Sequence, residues 1–316
     1  MQENIRTDLA IEVHEMLTEA AEEIAGVSVD EAEDGAVHIA RVKIENLAGA
    51  RKMGKPVGSY VTVEFPSVNI AEGEDYEKLC HTVAKELIAL LPLTKESRVL
   101  VVGLGNRDIT PDALGPKVVE KLMVTRHLFQ YVPDVVQEGI RPVCAISPGV
   151  LGTTGMETGE IIRGVTDKIR PDAVIVIDAL AARSTDRISC TVQLCDTGIS
   201  PGSGVGNTRK ALDKSTLGVP VIAVGVPLVV DAVTVASDAI GLAAETRQKA
   251  GDLEEMEPEE RRAALREALP ESLTGFMVTP KEIDLLVERV SKVVANGINF
   301  ALHKDISFAD IEAYLA

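Results

Sequence analysis

The chain has 316 residues with 32 Lys and Arg against 49 Asp and Glu, and the resulting charge of −17 argues against direct binding to a phosphate backbone. Aromatics make up 3% and Trp is absent, so stacking platforms for bases or sugars are lacking. At 46% hydrophobic the chain can build a substantial core, as one large domain or two smaller ones, yet it offers no apolar signal core and no membrane-length window, which predicts a cytoplasmic protein.

Residues 1–8 are polar and resemble neither a helix nor a targeting peptide. From Leu9 to Ile24 apolar residues recur at Ile11, Met16, Ala20 and Ile24 among acids, which predicts an amphipathic helix. Segments 37–45 and 58–65 alternate like half-buried strands, with a turn at Gly54–Gly58 between them. A helix over 73–91, closed by Pro92, leads into the apolar run 98–104. The α/β part follows: a loop holding Asp112, a helix from about Pro116 to Phe129, a strand at 142–146 and a loop at 147–157. Then come a helix over 157–170 and a second buried strand at 173–177. Strand candidates at 192–195 and 220–226 bracket a glycine-rich stretch, and Ala232–Thr246 reads as a helix. Residues 247–274 read as a charged helical insertion of mixed sign, and a long final helix is expected from near Pro280 to about His303.

Several chemistries fail on their own motifs. Gly103-Leu-Gly105 follows a strand, but the third glycine of a dinucleotide fingerprint is replaced by Asp108. The loop 198–206 lacks the Gly-Lys-Ser/Thr ending of a P-loop and reads as a flexible cleft wall. His14, His38, His81, His127 and His303 never fall in a zinc-binding spacing, and no metal or other cofactor is expected. Ser147, Ser184 and Ser203 have no nucleophile elbow. Cys80, Cys144, Cys190 and Cys195 form no C-x-x-C pair and read as reduced structural thiols.

Two aspartates survive. Asp112 and Asp178 each stand at or just past the end of a β-branched run of the kind that is buried on both faces in a parallel sheet. Chemistry in such sheets collects at the carboxyl ends of strands, so the two carboxylates are expected in one cleft, where a pair can divide acid and base roles. The residues by themselves support an α/β enzyme with a carboxylate site.

At these residues the chain resembles a known family. The segments 102–106, 110–116, 148–158 and 177–184, with Gly202–Asn207, Gly225–Asp231, Met277–Asp284 and Ile5–Ala10, resemble the germination protease of spore-forming bacteria over essentially the whole length. That resemblance implies an α/β three-layer sandwich with a mostly parallel or mixed central sheet, like that of hydrogenase-maturation endopeptidases. It implies an endopeptidase of the forespore and spore core that degrades small acid-soluble spore proteins, made as an inactive homotetrameric zymogen. The catalytic aspartates of the family carry over onto Asp112 and Asp178. Family cleavage sites set an acidic residue before an apolar one, and Asp8-Leu9-Ala10 fits, so residues 1–8 are expected to be a propeptide ahead of a single domain over 9–316. Oxyanion donors are sought among backbone N–H groups near Gly149 to Gly155 and Gly202 to Gly206, Gly204 included, and Arg183 is read as orienting a carboxylate, as reading an acidic substrate residue, or equally as a plain surface ion pair. Two rival readings are a metal-assisted maturation-type peptidase, in which the aspartates hold a divalent ion, and a non-catalytic protein that binds small spore proteins.

Overall fold

The computed structural model describes residues 7–20, 24–66, 74–91, 93–200, 210–246, 261 and 276–316. One sheet organises them. Strands β4 (Val99–Gly103), β5 (Val143–Ile146), β6 (Ala173–Ala182) and β8 (Val221–Asp231) run parallel, and their near-continuous apolar sequence suits burial on both faces. An antiparallel half continues through β7 (Thr191–Cys195), β3 (Gly58–Glu64), β2 (Val37–Ile44) and β1 (Val27–Asp34), giving the order β1-β2-β3-β7-β8-β6-β4-β5. A short β9 (Met277–Val278) pairs with the end of β8. The sheet is therefore mixed.

Helices cover both faces and complete three layers. On one side α3 (Glu74–Leu90), α4 (Leu114–Val119) and the long α10 (Ile283–Leu302) bury Leu79, Val83, Leu87, Leu114, Val118, Val290 and Val294 against alternate strand residues such as Val101, Ile175 and Ile177. On the other side α1 (Ala10–Ala20) and α2 (Leu47–Met53) cover the antiparallel half through Leu9, Ile11 and Met53. There α7 (Thr158–Ile169) and α8 (Lys214–Leu217) cover the parallel half through Ile162 and Leu217. A last helix, α11 (Phe308–Leu315), opens with a capping box between Ser307 and Asp310.

Four differences from the sequence reading have physical causes. The helix expected from Pro116 to Phe129 is broken into α4 and α5 (Arg126–Tyr131), because Asn299 of α10 captures the chain between them. Its Oδ1 accepts from Met123 N at 3.0 Å and its Nδ2 donates to the Lys121 carbonyl at 3.1 Å. Strand β1 was not anticipated: its acids suggest a loop, but Asp30 lies directly across from Arg41 and ion-pairs with it at 2.9 Å. Residues 147–157 hold a one-turn helix, α6 (Leu151–Thr154), where only a loop was read. Strands β6 and β8 both run on past their predicted ends, so Asp178 lies inside β6 and not after it. The pairing of β6 with β4 stops at Gly103–Ile177, while its pairing with β8 continues to Ala182. Beyond Ile177 no described strand pairs with β6 on that side. The helix α9 (Ala232–Thr246) matches its predicted bounds. The charged insertion read at 247–274 lies outside the described residues, apart from Arg261.

Candidate active site

Side chains alternate along a strand, and Ile175 and Ile177 point into the core beneath α3 and α10. Asp178 therefore faces the opposite side, where it is 7% exposed and its Oδ1 accepts from the N–H of Ala179 at 3.0 Å. On the neighbouring strand the chain leaves β4 through Gly103-Leu104-Gly105, and Leu104 N donates to the Ile177 carbonyl at 2.8 Å. It then returns in a 3-10 turn (Thr110–Asp112) that packs against β6 and β8 and is tied to α10 by a 2.7 Å bond from Thr110 Oγ1 to Asp284. Asp112 Oδ2 accepts from Asn106 N at 2.8 Å. Gly105 makes this hairpin-like return possible: its φ is +108°, and a Cβ there would stand 1.9 Å from the Asp112 carbonyl oxygen. The two aspartates thus share one end of adjacent parallel strands.

The chain's own N-terminal segment is bonded to the carboxyl end of β6. Asp8 N donates to the Ala181 carbonyl at 3.0 Å, and Ala181 N donates to Asp8 Oδ2 at 2.9 Å. Leu9 is fully buried and begins the packing of α1. Glu12, 1% exposed, fastens that helix to the end of β6 by accepting from Arg183 N at 2.7 Å and Ser184 N at 3.0 Å, and Thr7 Oγ1 also donates to it. Arg187 closes the cluster, 3.6 Å from Glu12 and 2.6 Å from Glu15.

Two residues that sequence reasoning passed over meet the carbonyl of Asp8. Lys55 Nζ donates to it at 2.8 Å and Gln193 Nε2 at 3.0 Å. Gln193 Oε1 in turn accepts from Ala10 N at 2.7 Å. Burial pulls the Lys55 ammonium below the ordinary lysine range, and the Asp8 carboxylate opposes that shift. In sheet register Gln193 pairs with Gly225 and Gly225 with Asp178, so all three share a row and a face. Two strand spacings of roughly 4.8 Å put the α-carbons of Gln193 and Asp178 roughly 10 Å apart. Asp8, Lys55, Gln193, Gly225 and Leu180 line one cleft of about 230 Å³, and Asp178 lies one strand beyond Gly225.

The other predicted residues are distributed differently. Gly149 and Gly155 lie after the edge strand β5 and do not line this cleft: the Gly149 carbonyl accepts from Thr158 Oγ1 at 3.2 Å, and Gly155 ends α6 with φ +70°. Gly202 and Gly204 lie outside the described residues. Arg183 is half-buried and contributes its backbone N–H to Glu12. Among the described residues none of the four cysteines is in a disulfide, no group of three His, Cys, Asp or Glu side chains could hold a metal ion, and no helix is long and apolar enough to cross a membrane.

A family model described as germination protease matches residues 6–246 and 242–315. The chain belongs to the germination protease family. It is 46% identical to the germination protease of Clostridium tetani over 99% of both chains, and 44% identical to that of Bacillus cereus over 98% of this chain and 97% of the relative. The germination protease of Caldanaerobacter subterraneus is 47% identical over 98% of each. Membership of the germination protease family makes the chain a peptidase, a hydrolase of peptide bonds acting in spore germination. A [NiFe] hydrogenase maturation protease, HycI from Thermococcus kodakarensis, aligns over 64% of this chain and 93% of its own at 18% identity, with a TM-score of 0.33, and no conclusion is drawn from it.

Proposed function

We propose that this germination protease is an endopeptidase that degrades small acid-soluble spore proteins and uses Asp112 and Asp178 to activate water. The ionised carboxylate takes a proton from water as it adds to the peptide carbonyl carbon, and the protonated partner delivers one to the departing amine. Any apparent pKa values then belong to the pair. Residues 1–8 are a leader removed by self-cleavage between Asp8 and Leu9, an acidic residue followed by an apolar one. The observation that carries this reading is the pair of bonds between Asp8 and Ala181 of β6, whose N–H receives the Asp8 carboxylate three residues past Asp178. The family resemblance adds a homotetrameric zymogen and a site of action in the spore core.

The test is intact mass against time for the wild type and for Asp112→Asn and Asp178→Asn after a shift to mildly acidic pH. Loss of residues 1–8 by the wild type alone supports the reading. Loss by an Asn variant at the wild-type rate removes that aspartate from the chemistry. A new N-terminus at any residue other than Leu9 refutes the assigned cut.

A further inference from the structure

The carbonyl of Asp8 is the one that the reading above makes the target of attack, and its surroundings go beyond what anchoring a chain end requires. Two side-chain donors from different elements converge on that single oxygen, at 2.8 Å from Lys55 Nζ and 3.0 Å from Gln193 Nε2. Both distances fall in the range at which preorganised donors stabilise an oxyanion. Lys55 comes from the turn between α2 and β3, just after Gly54 with its φ of +62°. Gln193 comes from the interior of β7, a polar side chain 7% exposed between the buried Val192 and Leu194. Burying an amide in a strand costs free energy unless its bonds are made, and this one makes them on both sides of the Asp8–Leu9 bond. Its oxygen takes the N–H of Ala10 while its NH2 group gives to the carbonyl of Asp8, and the first bond fixes which way the amide faces. Gly225, next in the row, carries no side chain between Gln193 and Asp178; a Cβ there would come within 2.5 Å of Leu180.

We infer that Lys55 and Gln193 are the oxyanion-stabilising residues of this protease: they hold the scissile carbonyl of the leader and, once residues 1–8 have left, that of the substrate. This rests on the assignment of the cut at Asp8–Leu9. In the step itself, water adds to the Asp8 carbonyl carbon, giving one proton to the aspartate base. The carbonyl oxygen becomes an alkoxide held by the Lys55 ammonium and the Gln193 amide. The tetrahedral centre collapses with cleavage of the C–N bond, the Leu9 nitrogen takes a proton from the aspartate acid, and an Asp8 carboxyl group and a Leu9 amine are released. Gln193 recognises only backbone, so the pair acts on any sequence set in this register. Selectivity for an acidic residue before the cut falls to the Ala181 N–H that receives the Asp8 carboxylate.

Full-length Lys55→Met, Lys55→Arg and Gln193→Glu separate this role from plain anchoring. Gln193→Glu keeps an acceptor for Ala10 N and removes the donor to Asp8. Self-cleavage rates are read by intact mass beside the wild type and Asp178→Asn, and docking of the segment by amide hydrogen exchange of residues 8–20. The expected result is a rate lower by about 100-fold or more in Lys55→Met and in Gln193→Glu, with exchange protection retained, and partial recovery in Lys55→Arg. Wild-type rates in both Lys55→Met and Gln193→Glu, with the wild type itself cleaving and Asp178→Asn silent, overturn the inference and leave the dyad standing. A rate that falls only in step with lost protection overturns it in favour of anchoring. A wild type that keeps residues 1–8 overturns the assigned cut and this inference together.

Discussion

Gly105→Ala tests whether the position of Asp112 governs the chemistry. A Cβ at residue 105 would lie 1.9 Å from the Asp112 carbonyl oxygen, where real contacts below 3.0 Å are essentially never seen, so the turn at Thr110–Asp112 must retreat by at least about 1 Å. An alanine at φ +108° adds backbone strain of about 1–2 kcal/mol, and the overpacking adds about 1–3 kcal/mol. The sum, about 2–5 kcal/mol, is smaller than the roughly 5–15 kcal/mol that holds most domains, so the variant is expected to stay folded at 25 °C. A displacement of about 1 Å in a positioned group costs about 100-fold in rate. Urea unfolding reads the first effect, and the rate of leader release by intact mass reads the second. A variant destabilised as calculated but cleaving at the wild-type rate would refute the claim that the Asp112 carboxylate must stand where Asn106 N holds it. Unchanged stability would refute the backbone argument.

Two further outcomes follow from buried groups. Glu12→Ala removes two buried charge-assisted bonds from Arg183 N and Ser184 N at about 1.5–3 kcal/mol each, for a total of about 3–6 kcal/mol. Hydrogen exchange should show α1 losing protection while β6 and β8 keep theirs, and a loss below about 0.5 kcal/mol would count against the anchor. Burial holds the His303 imidazole neutral and lowers its pKa from about 6.5 to about 4, with Nδ1 accepting from Arg141 N and Nε2 donating to the Met123 carbonyl. Because the folded value lies below the unfolded one, the stabilisation is complete above pH 6.5 and is lost as pH falls towards 4, to a limit of about 3 kcal/mol. His303→Phe should flatten the urea midpoint between pH 7 and 4.5 relative to wild type, and equal slopes would sink the assignment.

The parallel half of the fold is readable in the chain because fully buried strands declare themselves as unbroken apolar runs, as 99–103 and 173–177 do. That same property carries Asp112 and Asp178 to a common sheet end. Strand β1 is not readable: Val-Ser-Val-Asp-Glu-Ala-Glu-Asp has the composition of a solvated loop, and its pairing along all of β2, with Arg41 facing Asp30 and Lys78 at 2.7 Å from Asp34, comes from elsewhere in the chain. The break between α4 and α5 depends on Asn299, far away in sequence. Lys55 sits in the turn read at Gly54–Gly58 and looks like any surface lysine until β3 and β7 pair and turn it onto Asp8. Gln193 did leave a local trace, as a lone amide within the apolar run Val192–Cys195. What it binds depends on a segment almost 190 residues earlier, and strand periodicity carries no information about that contact.

The two ends of the sheet are finished in different ways, and the result reaches beyond a single molecule. At one end β1 presents Asp30, Glu31, Glu33 and Asp34 along its length, so a second copy laid beside it would set carboxylate against carboxylate. At the other, β5 is four residues long, with Pro142 before it and Pro148 close behind, and has too few free amides to template a neighbour. Strand addition is thus disfavoured by charge on one flank and by brevity on the other. Copies that meet at either of these flanks are therefore not helped to extend the sheet, and such meetings are better made by the helices that cover its two faces.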